Sequence, residues 1–156
     1  MIDWANYIGL NFDIVPHLGA LLAAYVLALP IGWDREKNER SAGLRTFPLV
    51  AISTCGFIQA AETVVYGNPE ATARVVEGLI TGMGFIGGGA ILVVKNSVRG
   101  TATAASLWAT GAIGTAVGLG AYDTAVVLSI VTFFTLRAMS RFKAEGDEGI
   151  NKDSGS

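Results

Sequence analysis

The chain has 156 residues, of which 51% are apolar and only 15% are charged, whereas roughly a quarter of the residues in a soluble globular domain are charged. Its mean hydropathy of +0.49 and its 20 glycines indicate a membrane protein rather than a soluble enzyme. One cysteine and one histidine exclude an internal disulfide and a site built from several cysteines or histidines.

Five apolar segments follow one another along the chain, each near the roughly 20 residues that a bilayer core requires. They run from about Ile14 to Trp33, Phe47 to Tyr66, Val75 to Val94, Thr101 to Gly120 and Thr124 to Met139. The linkers are short except for residues 34–46, which leaves no room for a soluble domain. The sequence therefore predicts an all-α, polytopic transmembrane domain over residues 1–143 and a disordered polar tail over residues 144–156.

The basic residues predict the orientation of these spans, because Lys and Arg accumulate on the cytoplasmic side. If the N-terminus lies outside, every basic residue except Arg74 lies inside. The inside residues are Arg35, Lys37, Arg40, Arg45, Lys95, Arg99, Arg137, Arg141, Lys143 and Lys152. We therefore predict an N-out, C-in protein. Residues 1–13 contain no Lys or Arg, so they do not resemble the positive start of a cleaved signal peptide.

Glycines at a spacing of four residues mark the third and fourth segments. Lipid gives helices no hydrophobic drive to associate, so small residues at this spacing let two backbones approach closely. The predicted packing glycines are Gly78, Gly82, Gly84, Gly87, Gly88, Gly114 and Gly118. Residues 82–87 also match the dinucleotide pattern G-x-G-x-x-G, but that motif requires a preceding strand and here lies within an apolar run. One alternative stays open: residues 87–89 interrupt the helix and expose carbonyls to an ion.

Charged residues follow the first segment directly, at Asp34, Arg35 and Glu36. Asp34 stands near the negative end of a helix and therefore needs a partner, for which Arg45 and Arg99 are the candidates on the same side. One interpretation is a solvated ion pair of little energetic value. The other is that Asp34 and Glu36 bind a hard cation such as Mg²⁺, which prefers oxygen ligands. The spacing alone leaves both open.

Other polar residues allow a functional and a plain interpretation. Thr101, Thr103 and Ser106 open the fourth segment, where they could cap the helix or, with Arg99, seat the Asp34 carboxylate. The acids Glu62 and Glu77 lie inside predicted spans and are functional candidates by default, although each lies close enough to a boundary to reach the interface. The sequence contains no Ser-His-Asp set, no Cys-His pair in plausible reach and no nucleotide loop, so an enzyme is the poorest interpretation.

Together these motifs resemble the MgtC/SapB family of membrane proteins. The resemblance rests on residues 34–36, 42–46, 82–91 and 98–108, which occur in the order of the family's motifs. It implies a multi-pass protein of the bacterial inner membrane that is linked to magnesium limitation and, in pathogens, to virulence. Carried over by motif, the implied functional residues are Asp34, Arg35, Glu36, Arg45, Thr46, Arg99, Gly100, Thr103 and Trp108. The candidate metal ligands remain Asp34 and Glu36, as the charges alone suggested above.

The family resemblance implies two functions. Its members are described as Mg²⁺ transporters, which implies binding or transport of a divalent cation, and as regulators that dock on another membrane complex such as the ATP synthase. Longer members carry a soluble domain after the membrane part, so we expect a short, SapB-like protein here. We expect no resident cofactor, with Mg²⁺ as the ligand or substrate. The expected surroundings are the lipid bilayer, a second copy or another membrane protein, and no nucleic acid.

Overall fold

A computed structural model describes residues 14–37, 42–62, 67–94 and 97–153, with side chains as far as Ala138. Residues 1–13, Arg40 and Lys95 lie outside these ranges. The elements in chain order are α1 (Ile14–Lys37), α2 (Thr46–Ala60), α3 (Pro69–Gly89), β1 (Leu92–Val94), β2 (Ser97–Arg99), α4 (Thr101–Gly118) and α5 (Tyr122–Asp153). The described residues thus form five helices, as predicted, together with one short hairpin that the sequence did not predict.

The third helix ends earlier than predicted, at Gly89 rather than Val94. Three consecutive glycines occupy its last turn, and glycine is a poor helix former. The N–H groups of Ala90 and Ile91 donate to the carbonyls of Gly87 and Gly88, each over 3.1 Å, which closes the helix. The β-branched residues that follow favour a strand, and β1 pairs with β2 in an antiparallel hairpin.

The fifth helix ends later than predicted. It continues past Met139 to Asp153, and so runs through most of the segment that composition assigned to a disordered tail. The prediction placed the end where the apolar run stops, but polarity does not end a helix. Lys143, Ala144 and Glu145 are good helix formers, and each added residue of an established helix gains a hydrogen bond.

Helices α1 and α2 run antiparallel, while α5 runs parallel to α1. The Gln59 side-chain amide at the end of α2 donates to the carbonyl of His17 at the start of α1, over 3.2 Å. Tyr122, the first residue of α5, lines a cavity together with His17. Further along both helices, the Ser129 hydroxyl donates to the Leu27 carbonyl over 2.6 Å. The start of α5 therefore lies beside the start of α1.

Helix α4 runs parallel to α2 and antiparallel to α3. A Cβ at Gly114 would meet Ala51 of α2, and one at Gly118, a turn later, would meet Ile58 at 2.7 Å. On the other side of α4, an ideal Cβ at Gly87, near the end of α3, would lie 3.4 Å from the carbonyl oxygen of Ala104, near the start of α4. Consecutive helices therefore alternate in direction.

Helix α4 forms the centre of the bundle, because all four other helices pack against it. The prediction that Gly114 and Gly118 bring two helices together is confirmed, since both lie directly against α2. The same prediction is wrong within this chain for four glycines of α3, where an added Cβ would meet nothing within 4 Å. These are Gly78, Gly82, Gly84 and Gly88. Helix α3 lies at the edge of the bundle, so most of its surface has no neighbour.

Candidate functional site

Most residues of the family motifs lie at one end of the bundle, where α1 and α3 end and α2 and α4 begin. We call this the charged end. Of the described Lys and Arg side chains, only Arg74 belongs to the opposite end, in the second turn of α3. Trp108 is a motif residue that lies elsewhere: it is half-exposed, two turns into α4, beside a separate apolar cavity.

Asp34 and Arg35 form a buried ion pair. A guanidinium nitrogen of Arg35 lies 2.9 Å from an oxygen of Asp34, and their side chains are only 5% and 7% exposed, respectively. The predicted partners are wrong, because within the described residues neither Arg45 nor Arg99 makes an ion pair with Asp34. Helix α1 extends past Trp33, so Asp34 and Arg35 share its last turns and enter the interior together. Arg45 and Arg99 are exposed.

Glu36 holds the loop that leads into α2. One oxygen of its carboxylate accepts a hydrogen bond from the Leu44 N–H over 3.1 Å, and the carboxylate fills the space that a side chain at Gly43 would need. The Gly43 carbonyl in turn accepts from the N–H groups of Thr46 and Phe47, over 3.0 and 3.2 Å. Glu36 thus fixes the backbone that begins α2 and orients Arg45 and Thr46.

A Glu36→Ala variant is expected to lose stability, because the Leu44 N–H loses its charged acceptor. We expect a cost of about 1 kcal/mol, the usual net value of one hydrogen bond. The melting temperature of the purified protein in detergent measures it. Lys37→Ala, at the neighbouring exposed position, is the matched control and should melt like the wild type. Equal melting temperatures for Glu36→Ala and the wild type would contradict this role.

The predicted Mg²⁺ site of Asp34 and Glu36 consists of two carboxylates that already contact protein donors. Asp34 contacts the Arg35 guanidinium, and Glu36 contacts a backbone N–H. Within the described residues, no group of three or more His, Cys, Asp or Glu side chains is placed to hold a metal ion. A cation would have to displace these contacts, and the metal site stays a prediction.

Buried hydroxyl groups line α4, but they do not cap it as predicted. The N-cap residue of α4 is Gly100, and no side chain caps the helix. The Ser106 hydroxyl instead donates to the Thr103 carbonyl over 2.9 Å, and the Thr110 hydroxyl to the Ser106 carbonyl over 2.8 Å. All three residues are buried. Sequence reasoning missed Thr110, although its spacing of four and seven residues from the other two places it on their face of the helix.

Gly100 joins the hairpin to α4 in a conformation that only glycine adopts easily. Its φ is +89°, and a Cβ would overlap the Ala90 carbonyl oxygen. A Gly100→Ala variant should therefore lose at least about 1–2 kcal/mol, the cost of the left-handed region for an L-residue. Gly120→Ala is the matched control, since Gly120 has a φ of +78° but open space around it. If Gly100→Ala and Gly120→Ala have the same melting temperature, the close approach of the Ala90 carbonyl adds nothing to the cost of the Gly100→Ala substitution.

Two cavities differ in chemistry. A largely apolar groove of about 710 Å³ lies between α2 and α3, with Arg45 and Thr46 among its lining residues. A smaller, more polar cavity of about 400 Å³ lies at the opposite end, and Glu62 and His17 help to line it. Glu77, the other acid predicted inside a span, is exposed on α3 and lines neither cavity.

Comparisons with known proteins agree on one family. The MgtC family model matches residues 21–144. The chain is 38% identical to Protein MgtC of Salmonella typhimurium over 116 residues, which are 74% of this chain and 49% of the relative. Protein MgtC of Brucella abortus is also 38% identical, over 73% of this chain and 48% of the relative. Protein SrpB of Synechococcus elongatus is 37% identical over 90% of this chain and 77% of the relative.

The chain spans about half the length of the MgtC relatives that it matches, and no solved structure matches it. The family model nevertheless covers most of the chain and includes all the residues of the charged end described above. The described helices, the motif residues at their junctions and the relatives agree: this chain belongs to the MgtC family.

Proposed function

We propose that this chain is a multi-pass protein of the bacterial inner membrane that serves magnesium homeostasis as a non-transporting regulator docked on another membrane protein. An exposed face of α3 carries the proposal. Glu77, Thr81, Gly84 and Gly88 share this face at helical spacing, and all four are exposed. An added Cβ at either glycine would meet nothing within 4 Å, so a partner helix can approach the backbone closely. The proposal assigns the chain no catalytic activity.

The placement in the membrane is supported by the surface and the charges. Helix α1 is long and apolar enough to cross a bilayer, and α2 is a shorter apolar helix. Large apolar side chains on three helices point outward, such as Val15 at 79%, Phe85 at 86% and Phe134 at 61% exposure. The positive-inside rule favours a cytoplasmic position for the charged end. Together with helices that alternate in direction, this supports the proposed five spans and N-out, C-in orientation.

Contacts within the chain favour docking over conduction. Both carboxylates of the predicted cation site contact protein donors, and the buried Ser106 and Thr110 hydroxyls of α4 donate to backbone carbonyls. By contrast, Met83 and Gly87 are the only described residues of α3 that are buried. A helix with so little of its surface covered gives a partner helix room to pack.

The test fills the α3 face and measures two outcomes. We expect Gly84→Leu and Gly88→Leu to reduce co-purification of a membrane-protein partner and to impair growth in low Mg²⁺, with unchanged protein levels. Gly19→Leu is the matched control, because Gly19 of α1 is equally open and lies outside this face. Movement of Mg²⁺ into liposomes that contain only the purified wild-type protein would contradict the proposal that the protein is a non-transporting regulator.

A second candidate, binding or transport of a divalent cation, is favoured by the polar cavity at the opposite end. Glu62, His17 and Tyr122, whose side chains carry oxygen or nitrogen atoms, are among its lining residues, and Glu62 is exposed. Carboxylate oxygens suit Mg²⁺, which retains several of its waters when bound. Glu62→Gln should abolish Mg²⁺ flux if this candidate holds, and should leave growth in low Mg²⁺ unaffected if the regulator holds.

A further inference from the structure

We propose that the groove between α2 and α3 binds one acyl chain of an anionic phospholipid, with the lipid phosphate on the Arg45 guanidinium. The site is formed by apolar walls that end in one positive charge at the charged end of the bundle. The inference rests on the membrane placement proposed above, but not on docking to a partner protein.

The walls of the groove suit a hydrocarbon chain. Apolar side chains such as Leu49, Phe57 and Leu79 line it along both helices. Gly78 and Gly82 also line it, and with nothing within 4 Å of either Cβ position they leave the groove open along α3. The cavity measures about 710 Å³. In a bilayer such a space does not stay empty, because its walls would lose dispersion contacts.

The groove follows most of the length of α2. It follows α2 from Arg45 to Phe57, a rise of about 18 Å at 1.5 Å per residue. Phe57 lies three residues before the end of α2 at Ala60, so an acyl chain that enters at Arg45 finds apolar walls along nearly the whole helix.

Arg45 supplies the charge that selects the headgroup. It is exposed and makes no ion pair within the described residues. Although Arg45 is the N-cap residue of α2, its side chain makes no capping hydrogen bond. The first N–H groups of α2, at Thr46 and Phe47, already bond to the Gly43 carbonyl, so the guanidinium rather than the helix end is the donor. A guanidinium binds a phosphate through two parallel hydrogen bonds, and the cytoplasmic leaflet is rich in anionic lipid.

Native mass spectrometry of the purified full chain tests the site, with phosphatidylglycerol and phosphatidylcholine of identical acyl chains as probes. We expect the wild type to retain phosphatidylglycerol about fivefold more than phosphatidylcholine, which corresponds to about 1 kcal/mol for one arginine near a membrane surface. Arg45→Gln should reduce this ratio to about one. Gly82→Leu should remove retention of both lipids, and Gly78→Val serves as a smaller second variant if Gly82→Leu melts at a lower temperature.

Gly84→Leu is the matched control, because Gly84 is equally open but does not line the groove; its lipid retention should equal that of the wild type. Unchanged retention in both groove variants would overturn the site. Displacement of phosphatidylglycerol by an equal concentration of inorganic phosphate would also overturn the site. A wild-type dimer that dissociates in the Gly82→Leu variant would overturn it too, because a second copy of the chain would then be the occupant. Loss of lipid without loss of the partner protein leaves the proposed function standing.

Discussion

A Gly114→Ala variant is expected to melt far below the wild type. The added Cβ would overlap both the Ala51 carbonyl oxygen and the Thr54 hydroxyl oxygen. The first of these is backbone in the middle of α2, so the helix itself must move. Overpacking a core by even one carbon typically costs about 1–3 kcal/mol, and Gly114 lies in the helix that all others contact. Differential scanning fluorimetry in detergent, with size-exclusion profiles, measures the loss.

Gly88→Ala is the matched control, since it adds the same methyl group to a helix position with nothing within 4 Å. Alanine is favoured over glycine in a helix by about 1 kcal/mol, so this variant should melt at or above the wild-type temperature. Adding Thr54→Ala to Gly114→Ala should recover only part of the loss, because the Ala51 carbonyl still blocks the Cβ. Equal melting of the Gly114 and Gly88 variants would contradict the close packing of α2 and α4.

The glycine pairs of α3 and α4 also show how far the sequence predicts the fold. The spacing of Gly84 and Gly88 is identical to that of Gly114 and Gly118, and it correctly predicts that each pair shares one face of a helix. The spacing carries no information on what covers that face. Coverage follows from tertiary position: α4 is surrounded by four helices and α3 lies at the edge. The same pattern therefore gives a packed contact in α4 and an open surface in α3.

The sequence predicts which residues lie at the charged end, but not which of them contact each other. The positions of the basic residues along the chain correctly predict that Asp34, Glu36, Arg45 and Arg99 share one end of the bundle, because the order of the helices alone decides this. The pairing of Asp34 with Arg35 was missed, because it depends on how far α1 extends beyond its apolar run. The bond from Leu44 to Glu36 joins two residues across a loop, and no helical or strand period encodes such a contact.

The second large effect is expected at Asp34. In Asp34→Asn, the Arg35 guanidinium keeps its charge while it loses its ionised partner in a site where its side chain is only 5% exposed. The Arg35 Nε already lacks a hydrogen-bond partner in the described structure, so little remains to compensate. Removing one member of a buried ion pair typically costs about 3–5 kcal/mol. Urea or thermal unfolding in detergent should show this loss, while Glu77→Gln, at an exposed acid, should not.

The double variant Asp34→Leu with Arg35→Met separates stability from function, because a buried pair replaced by apolar residues of similar size often costs little. We expect it to unfold at a higher denaturant concentration than Asp34→Asn. A double variant no more stable than Asp34→Asn would show that the loss does not come from an unpaired charge.

Growth in low Mg²⁺ then decides what Asp34 does. Failure of Asp34→Asn alone cannot identify a cation ligand, since an unfolded protein fails in the same way. If the double variant accumulates to wild-type levels and supports growth, the Asp34 carboxylate serves the fold, because leucine offers a cation no oxygen ligand. If it accumulates and growth fails, the carboxylate or the guanidinium acts directly, and restoring Arg35 or Asp34 singly shows which one.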